Sequence, residues 1–326
     1  MIDKEVKTRV IGLDISYDET TCAVVDIRGN ILGIRKFVTS DYPDINEYVS
    51  VLCNEIVELA ESVCGLENIR SIGISAPSGN LLTGCIENSP NMPWKGVIPL
   101  AAVLRDRLGM AVALGNDSHA VALGEYTFGC GHGMKNFSVV TIGNGLGSSL
   151  FSRGKLHHGN SGFAGELGHM CVASGGRKCN CGRKGCLERY VAGSGVVATA
   201  YEVMAESDKP SLMRGRMTLT SKMISSFCDE GDELAIETFR RTGRMLGVAL
   251  ANYATITDPE AIILTGGVVK AGKWLMKPTI EAFDEHVFPN ISNKVALLTS
   301  TMNNRERDIL GASVMAWSVK EYSLFK

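Results

Sequence analysis

His169, Cys179, Cys181 and Cys186 fall within one glycine-rich stretch, GNSGFAGELGHMCVASGGRKCNCGRKGCLE, from Gly159 to Glu188. Three thiolates and one imidazole make a complete tetrahedral donor set for zinc. A closed set of that kind serves structure, because no position is left for a reacting water. The stretch has too few apolar residues to fold on a core of its own, and a bound metal would supply the missing stabilisation. A redox thiol pair is the other reading of clustered cysteines, but it asks for neither the histidine nor the third cysteine. Glu166 and Glu188 flank the four ligands. With the backbone fixed by metal, both carboxylates would be rigid enough to accept hydrogen bonds from ligand hydroxyls. Taken singly, each reads as a solvated glutamate.

A second set lies upstream. AVALGNDSHAVALGEY, Ala111 to Tyr126, reads as a buried strand running into a helix, with Asn116 and Asp117 at the junction. Ligand crevices of α/β folds lie at the C-terminal ends of strands, which places Asp117 for proton transfer. The same position suits a helix N-cap, worth about 1 kcal/mol. Asn116 can both donate and accept, and His119 reads as structural. The opening stretch DISYDET, Asp14 to Thr20, has the strand, tight turn and early acid with which several nucleotide-binding folds begin. Its turn nevertheless carries Asp18 and Glu19 and no glycine.

These residues need elements to hold them. RVIGLDI, TTCAVVDI and NILGIRKFV have the apolar runs and alternation of strands, and INEYVSVLCNEIVELAESV repeats at helical spacing. IRSIGISAP and AVAL read as further buried strands, with a helix near LAAVLRDRLG. From Phe137 the opening pattern returns in FSVVTIGNGLGSSLFSRGKL, which reads as an internal duplication unless chance has repeated a common strand and turn pattern. A long apolar helical face through Ile236, Phe239, Leu246, Leu250 and Tyr253 then leads to the strand EAIILTGG. Strands alternating with helices imply an α/β fold.

Composition excludes several classes. The net charge of −2 over 326 residues offers no basic surface for nucleic acid, and no apolar run approaches the roughly 18 residues that span a bilayer. The start, MIDKEVKTRV, is too polar for a signal peptide. Ten cysteines without a targeting segment then point to a reducing cytoplasm. Cys22, Cys53, Cys64, Cys85, Cys130 and Cys228 stand singly, as small hydrophobes.

Together, GELGHM, CNCGRKGCLE, GNDSHAVALGE and NMPW resemble the ROK family of sugar kinases and related repressors, over nearly the whole chain. The resemblance implies a two-lobed actin-like ATPase (ribonuclease H-like) α/β fold with a duplicated strand-turn-strand opening and a zinc loop. Residues 1–117 and a C-terminal helix at 307–326 would form the small lobe, and 118–306 the large lobe with the zinc loop at 159–188. It further implies ATP-dependent phosphorylation of a hexose or N-acetylhexosamine, with Asp117 as general base. Asn91, Asn116, Asp117, Glu166, His169 and Glu188 would hold the sugar, and His169, Cys179, Cys181 and Cys186 would hold Zn2+. Asp14, through Mg2+, and Gly145, Gly147, Gly266 and Gly267 would face the nucleotide. A cytoplasmic homodimer or homotetramer follows by the same resemblance. The family's repressors carry a helix-turn-helix domain before the first strand, whereas about eight residues stand there in this chain, which disfavours the DNA-binding branch.

The chain departs from the family at its first hairpin. Where members read DIGGTK, Ser16 and Tyr17 fall on the two glycines, Asp18 on the threonine and Glu19 on the lysine. In the second hairpin Asn144 and Ser148 stand where Thr and Gly are usual. Lost glycines hinder close backbone approach to a phosphate. Two unit charges about 4 Å apart interact by roughly 4 kcal/mol at an effective dielectric of 20, so ATP is expected to bind poorly unless Asp18 and Glu19 turn outward or recruit a cation. Two readings follow: a working kinase with a raised ATP requirement, or a sugar-binding sensor with weak or no kinase activity.

Overall fold

The computed structural model describes residues 6–90 and 92–319. The opening run forms an antiparallel meander of β1 (Arg9–Ile15), β2 (Glu19–Asp26) and β3 (Ile31–Val38). Helix α1 (Ile45–Val63) follows, its first turn capped by Asp44, whose carboxylate accepts the N–H groups of Asn46 and Glu47. Strand β4 (Ile69–Ala76) leads into a small three-stranded sheet of β5 (Gly79–Asn80), β6 (Cys85–Glu87) and β7 (Val97–Ile98). Helix α2 (Leu100–Leu108), strand β8 (Ala111–Asn116) and helix α3 (Asp117–Phe128) complete this stretch.

The pattern then restarts with β9 (Phe137–Ile142), β10 (Leu146–Ser152) and β11 (Lys155–Leu156). Helices α4 (Glu188–Val191), α5 (Gly193–Ala205), α6 (Ser221–Asp229) and α7 (Glu233–Thr257) precede β12 (Ala261–Thr265), α8 (Lys273–His286) and β13 (Ala296–Thr299). The chain ends its described course in α9 (Asn304–Ser318). This element starts before the helix expected at 307–326 and overlaps it, and positions 320–326 lie outside the described residues.

Two sheets repeat one design. The first has the order β3-β2-β1-β4-β8 and the second β11-β10-β9-β12-β13. In each, an antiparallel meander is extended on the far side of its first strand by two parallel strands. The echo in the sequence therefore has a structural counterpart strand for strand.

The chain divides into two compact units. One holds the residues up to His132, the segment His158–Ala164 and the residues from Thr301 onward; the other holds Gly133–His157 and Gly165–Ser300. In the first, Tyr48, Leu52, Ile56 and Leu59 of α1 pack on Ile11, Leu13, Ile15, Cys22 and Val24. Each such side chain contributes about 1.5–3 kcal/mol by leaving water. The other face of that sheet takes α9, where Ile309 and Ala316 meet Val10, Ala23 and Val25. Contact there is backbone to backbone: a Cβ on Gly73 would lie 1.9 Å from the Ala312 carbonyl oxygen, and one on Gly311 1.8 Å from that of Ala120. These two glycines hold α9 tightly against β4 and α3. The second unit is cored by α7, whose Phe239, Leu246 and Leu250 pack with Ile262 and Leu264 of β12.

Candidate active site

Asp14 lies one residue from the end of β1, on the face that α9 covers. Ser75 of β4 is its paired neighbour and donates its hydroxyl to Asp14 Oδ1 at 3.0 Å. Asp117 opens α3 directly after β8. The cap role that the sequence leaves open for Asp117 belongs to Asn116, whose Oδ1 accepts Ser118 N–H at 2.9 Å and Ser118 Oγ at 2.7 Å. Asp117 is thereby released from capping duty, with Oδ1 held by Ser118 N–H at 2.7 Å.

Electrostatics at this end of the first unit favour protons on carboxylates. Burial pushes Asp14 up to about 7, with Asp308 and Asp117 adding to the shift, while the Ser75 hydrogen bond and Arg307 oppose it. The protein packed around Asp117 likewise raises its carboxyl, although the residue is open to solvent, and the Ser118 N–H pulls the other way. Asp308, on α9, is raised by burial and by Asp117 against the pull of Arg307. Arg307 is itself buried and donates to Asp308 Oδ1 through Nη2 at 2.9 Å. Sequence reasoning missed both residues, because RERD reads as a solvated charge run. Only the seating of α9 turns Arg307 inward.

The first hairpin is closed by its own side chain. Ser16 Oγ donates to the Glu19 carbonyl at 2.9 Å and accepts Glu19 N–H at 3.1 Å. Tyr17 and Asp18 face solvent. Glu19 does not stand as the isolated anion that substitution for lysine suggests: its Oε1 takes the Lys36 ammonium and accepts Thr21 Oγ1 at 3.3 Å. The hairpin has recruited a cation from β3.

In the second unit, the turn between β9 and β10 is closed by Gly143 N–H to the Gly145 carbonyl at 2.9 Å. Glu188, at the start of α4, braces it by accepting Leu146 N–H at 3.0 Å. A Cβ on Gly145 would lie 2.9 Å from Glu188 Oε2, so this glycine makes room for the carboxylate. Gly147 pairs with Thr141 inside the β9–β10 ladder. Buried Ser148 spends its hydroxyl within the unit, donating to the Gly165 carbonyl and accepting Leu167 N–H at 3.1 Å. Gly266, at φ +101°, crosses the Ile142 carbonyl, and the space around the Gly267 Cα is open.

His169 and the three cysteines come together. Their ligand atoms all lie within 4.8 Å of one another, with Cys179 Sγ 3.8 Å from His169 Nδ1 and Cys181 Sγ 3.7 Å from Cys186 Sγ. A tetrahedron with metal–sulfur bonds of about 2.3 Å has edges of about 3.8 Å, and these two separations match it, so the donor set fits a zinc site. All four are free of disulfides or carry no thiol, and hydrogen bonding by Arg183 N–H lowers Cys181 toward the thiolate that a metal requires. Since Nδ1 faces the sulfurs, Nε2 is the ring atom left for another partner. The loop is tied down by Arg177, which the sequence did not single out. Its guanidinium donates to the carbonyls of Arg189 at 2.8 Å and Gly195 at 3.0 Å and lies 4.6 Å over the Tyr190 ring.

Asn116 and Asp117 belong to the first unit, and Glu166, His169 and Glu188 to the second. Glu166 is exposed at the entry to the short turn Leu167–His169. Asn91 lies outside the described residues.

The ROK family pattern matches residues 10–319, which takes in both sheets, the cysteine-rich loop and α9. The chain belongs to the ROK family. Among ROK relatives, the glucokinase of Halalkalibacterium halodurans is 34% identical over 259 residues, 78% of this chain and 77% of that protein. The xylose repressor of Bacillus spizizenii is 26% identical over 295 residues, 90% of this chain and 73% of that protein. A ROK family glucokinase from Streptomyces griseus, solved in complex with glucose and AMPPNP, superposes with a TM-score of 0.77 at 28% identity, covering 95% of this chain and all of that one. The repeated sheets are thus the actin-like ATPase fold of ROK proteins. Among the described residues no helix is long and apolar enough to cross a membrane.

Proposed function

We propose that this ROK protein is a sugar kinase that moves the γ-phosphoryl group of ATP to a hydroxyl of a hexose or N-acetylhexosamine. The observation that carries this reading is the division of labour at the head of α3, where Asn116 caps the helix and Asp117 is left with a carboxylate of raised proton affinity. Such a group suits a base that accepts the hydroxyl proton as the oxygen attacks. Ser118 N–H holds Oδ1, so Oδ2 is the atom that takes the proton. Glu188 orients the sugar through Oε1 while Oε2 remains on Leu146 N–H. His169 Nε2, Glu166, Asn91 and the Asn116 amide complete the sugar contacts.

Zinc held by His169, Cys179, Cys181 and Cys186 is structural, fixing the loop on which Glu166, His169 and Glu188 sit. Mg2+ near Asp14 would neutralise phosphate charge, competing with the proton that Asp14 otherwise keeps. Gly145, Gly147, Gly266 and Gly267 provide the backbone that faces the nucleotide. The free thiols fit a reducing cytoplasm, where the protein works as a homodimer or homotetramer without nucleic acid. Coupled detection of ADP with a panel of hexoses and N-acetylhexosamines tests the reading, which expects release with at least one sugar and none after Asp117→Ala.

The altered hairpin and the match to a xylose repressor over 90% of the chain favour one second reading, a sugar sensor without catalysis. Sugar binding with no ADP released would establish it in place of the first.

A further inference from the structure

Strands β1 and β3 flank β2 and run in the same direction. Their pairing sets a row of polar residues across one face of the first sheet. Ser75 of β4 pairs with Asp14 of β1, Asp14 with Thr21 of β2, and Thr21 with Lys36 of β3. Directly paired residues share a face, so these four side chains stand in line. The hydrogen bond from Ser75 to Asp14 joins one end, and Glu19, bridging Thr21 and Lys36, joins the other. With strands about 4.8 Å apart, Lys36 lies two strands, roughly 10 Å, from Asp14 along this row. Glu19 is the first residue of β2, so its pull draws the ammonium toward the Ser16–Glu19 turn.

Two other cations nearby, Arg35 and Arg307, are committed. Arg35, next to Lys36, faces the opposite side of the sheet, where Glu55 and Glu58 of α1 hold it. Arg307 is buried on Asp308. The Lys36–Glu19 pair is different in kind: both side chains reach solvent, at 36% and 49% exposure. An exposed pair of this sort is only weakly held, and Glu19 keeps the Thr21 hydroxyl if Lys36 departs. A triphosphate, with several charges concentrated on one chain, outcompetes a single carboxylate for that ammonium.

We propose that Lys36 is the phosphate-binding cation of the first hairpin, resting on Glu19 in the free protein and passing to a phosphate oxygen of the nucleoside triphosphate on binding. The inference rests on the kinase reading and adds to it the residue that receives the donor. It also makes Glu19 a parking site for the lysine rather than a barrier to the nucleotide.

Calorimetric titration with MgATP, without sugar, tests it on Lys36→Gln, Lys36→Arg and Glu19→Gln, alongside the KM for ATP and for sugar. Lys36→Gln should weaken ATP by about tenfold or more, the loss of a charge-assisted hydrogen bond, with sugar affinity unchanged. Lys36→Arg should recover most of the loss, and Glu19→Gln should tighten ATP. Equal ATP affinity in wild type and Lys36→Gln overturns the proposal, as does a parallel loss of sugar affinity. If Lys36 governs ATP binding yet no sugar is phosphorylated, the kinase reading falls and Lys36 stands. If sugar is phosphorylated equally well with Gln at that position, the reverse holds. A wild type that binds no nucleotide removes both.

Discussion

The carboxylate of Glu188 and the backbone N–H of Leu146 are joined at 3.0 Å, so the last acid of the cysteine-rich loop is also the brace of the second hairpin. The cysteine-rich loop and the second hairpin of this unit therefore share one side chain.

Gly145→Ala would put a methyl group where Glu188 Oε2 now lies, at 2.9 Å. Displacing that carboxylate should raise the KM for sugar and for ATP together, by about tenfold each, the value of one hydrogen bond to a charged group. Steady-state kinetics on the folded variant checks this, and a change confined to one substrate would contradict the shared brace.

The proton acceptor should separate from its helix cap. Asp117→Asn should lower kcat by about 10² to 10⁴ while leaving sugar binding in place. Asn116→Ala should instead cost about 1 kcal/mol of stability through the lost cap. Denaturant melts paired with calorimetry distinguish the two outcomes.

Purified protein should contain one zinc per chain by elemental analysis. Cys181→Ser should lose the metal and, with it, most of the sugar affinity, because the loop that carries Glu166, His169 and Glu188 is no longer held. Metal-free protein that still binds sugar normally would contradict this.

His119 predicts a pH effect on stability. Burial first, and His158 second, push its imidazole down from 6.5 to about 4. Its ring packs edge-on to His158, with centroids 5.4 Å apart, and its Nδ1 has no partner among the described residues. An unfolded chain takes up this proton near pH 6.5 and the folded one only near 4, so stability is intact above 6.5 and declines as pH falls through that window. The decline is at most about 3 kcal/mol, at 1.36 kcal/mol per pH unit. His119→Gln should flatten melting temperature against pH between 6.5 and 4, and an unchanged slope would count against it.

Much of this was legible in the residues themselves. The strand at 9–15 and the helix at 45–63 have the boundaries that apolar spacing assigns them, since the strand is buried on both faces and the helix along one continuous face. The cluster of His169 with three cysteines was readable because donor type and spacing mark it without reference to the rest of the chain. Lys36 and Arg307 were not readable. A lysine in an alternating edge strand and an arginine in RERD look like ordinary solvated charges, and only strand register and helix seating, set by distant residues, give them partners. The charge conflict at Glu19 was visible in the sequence, and its resolution through Lys36 was not.

Helix α9 has a consequence for how the protein is made. The strands of the first sheet precede the second unit in the sequence, yet among the described residues the face bearing Val10, Ala23 and Val25 is covered by the late residues Ile309, Leu310, Ala316 and Trp317. On a ribosome, where domains ordinarily fold as they emerge, first segment first, that face waits through the synthesis of the whole second unit. The second unit, continuous from Gly165 to Ser300 apart from its opening strands, has its core in hand before the first can close. The first sheet is therefore made before the second unit and finished after it, and a chain stalled before residue 304 would present an open apolar sheet to chaperones.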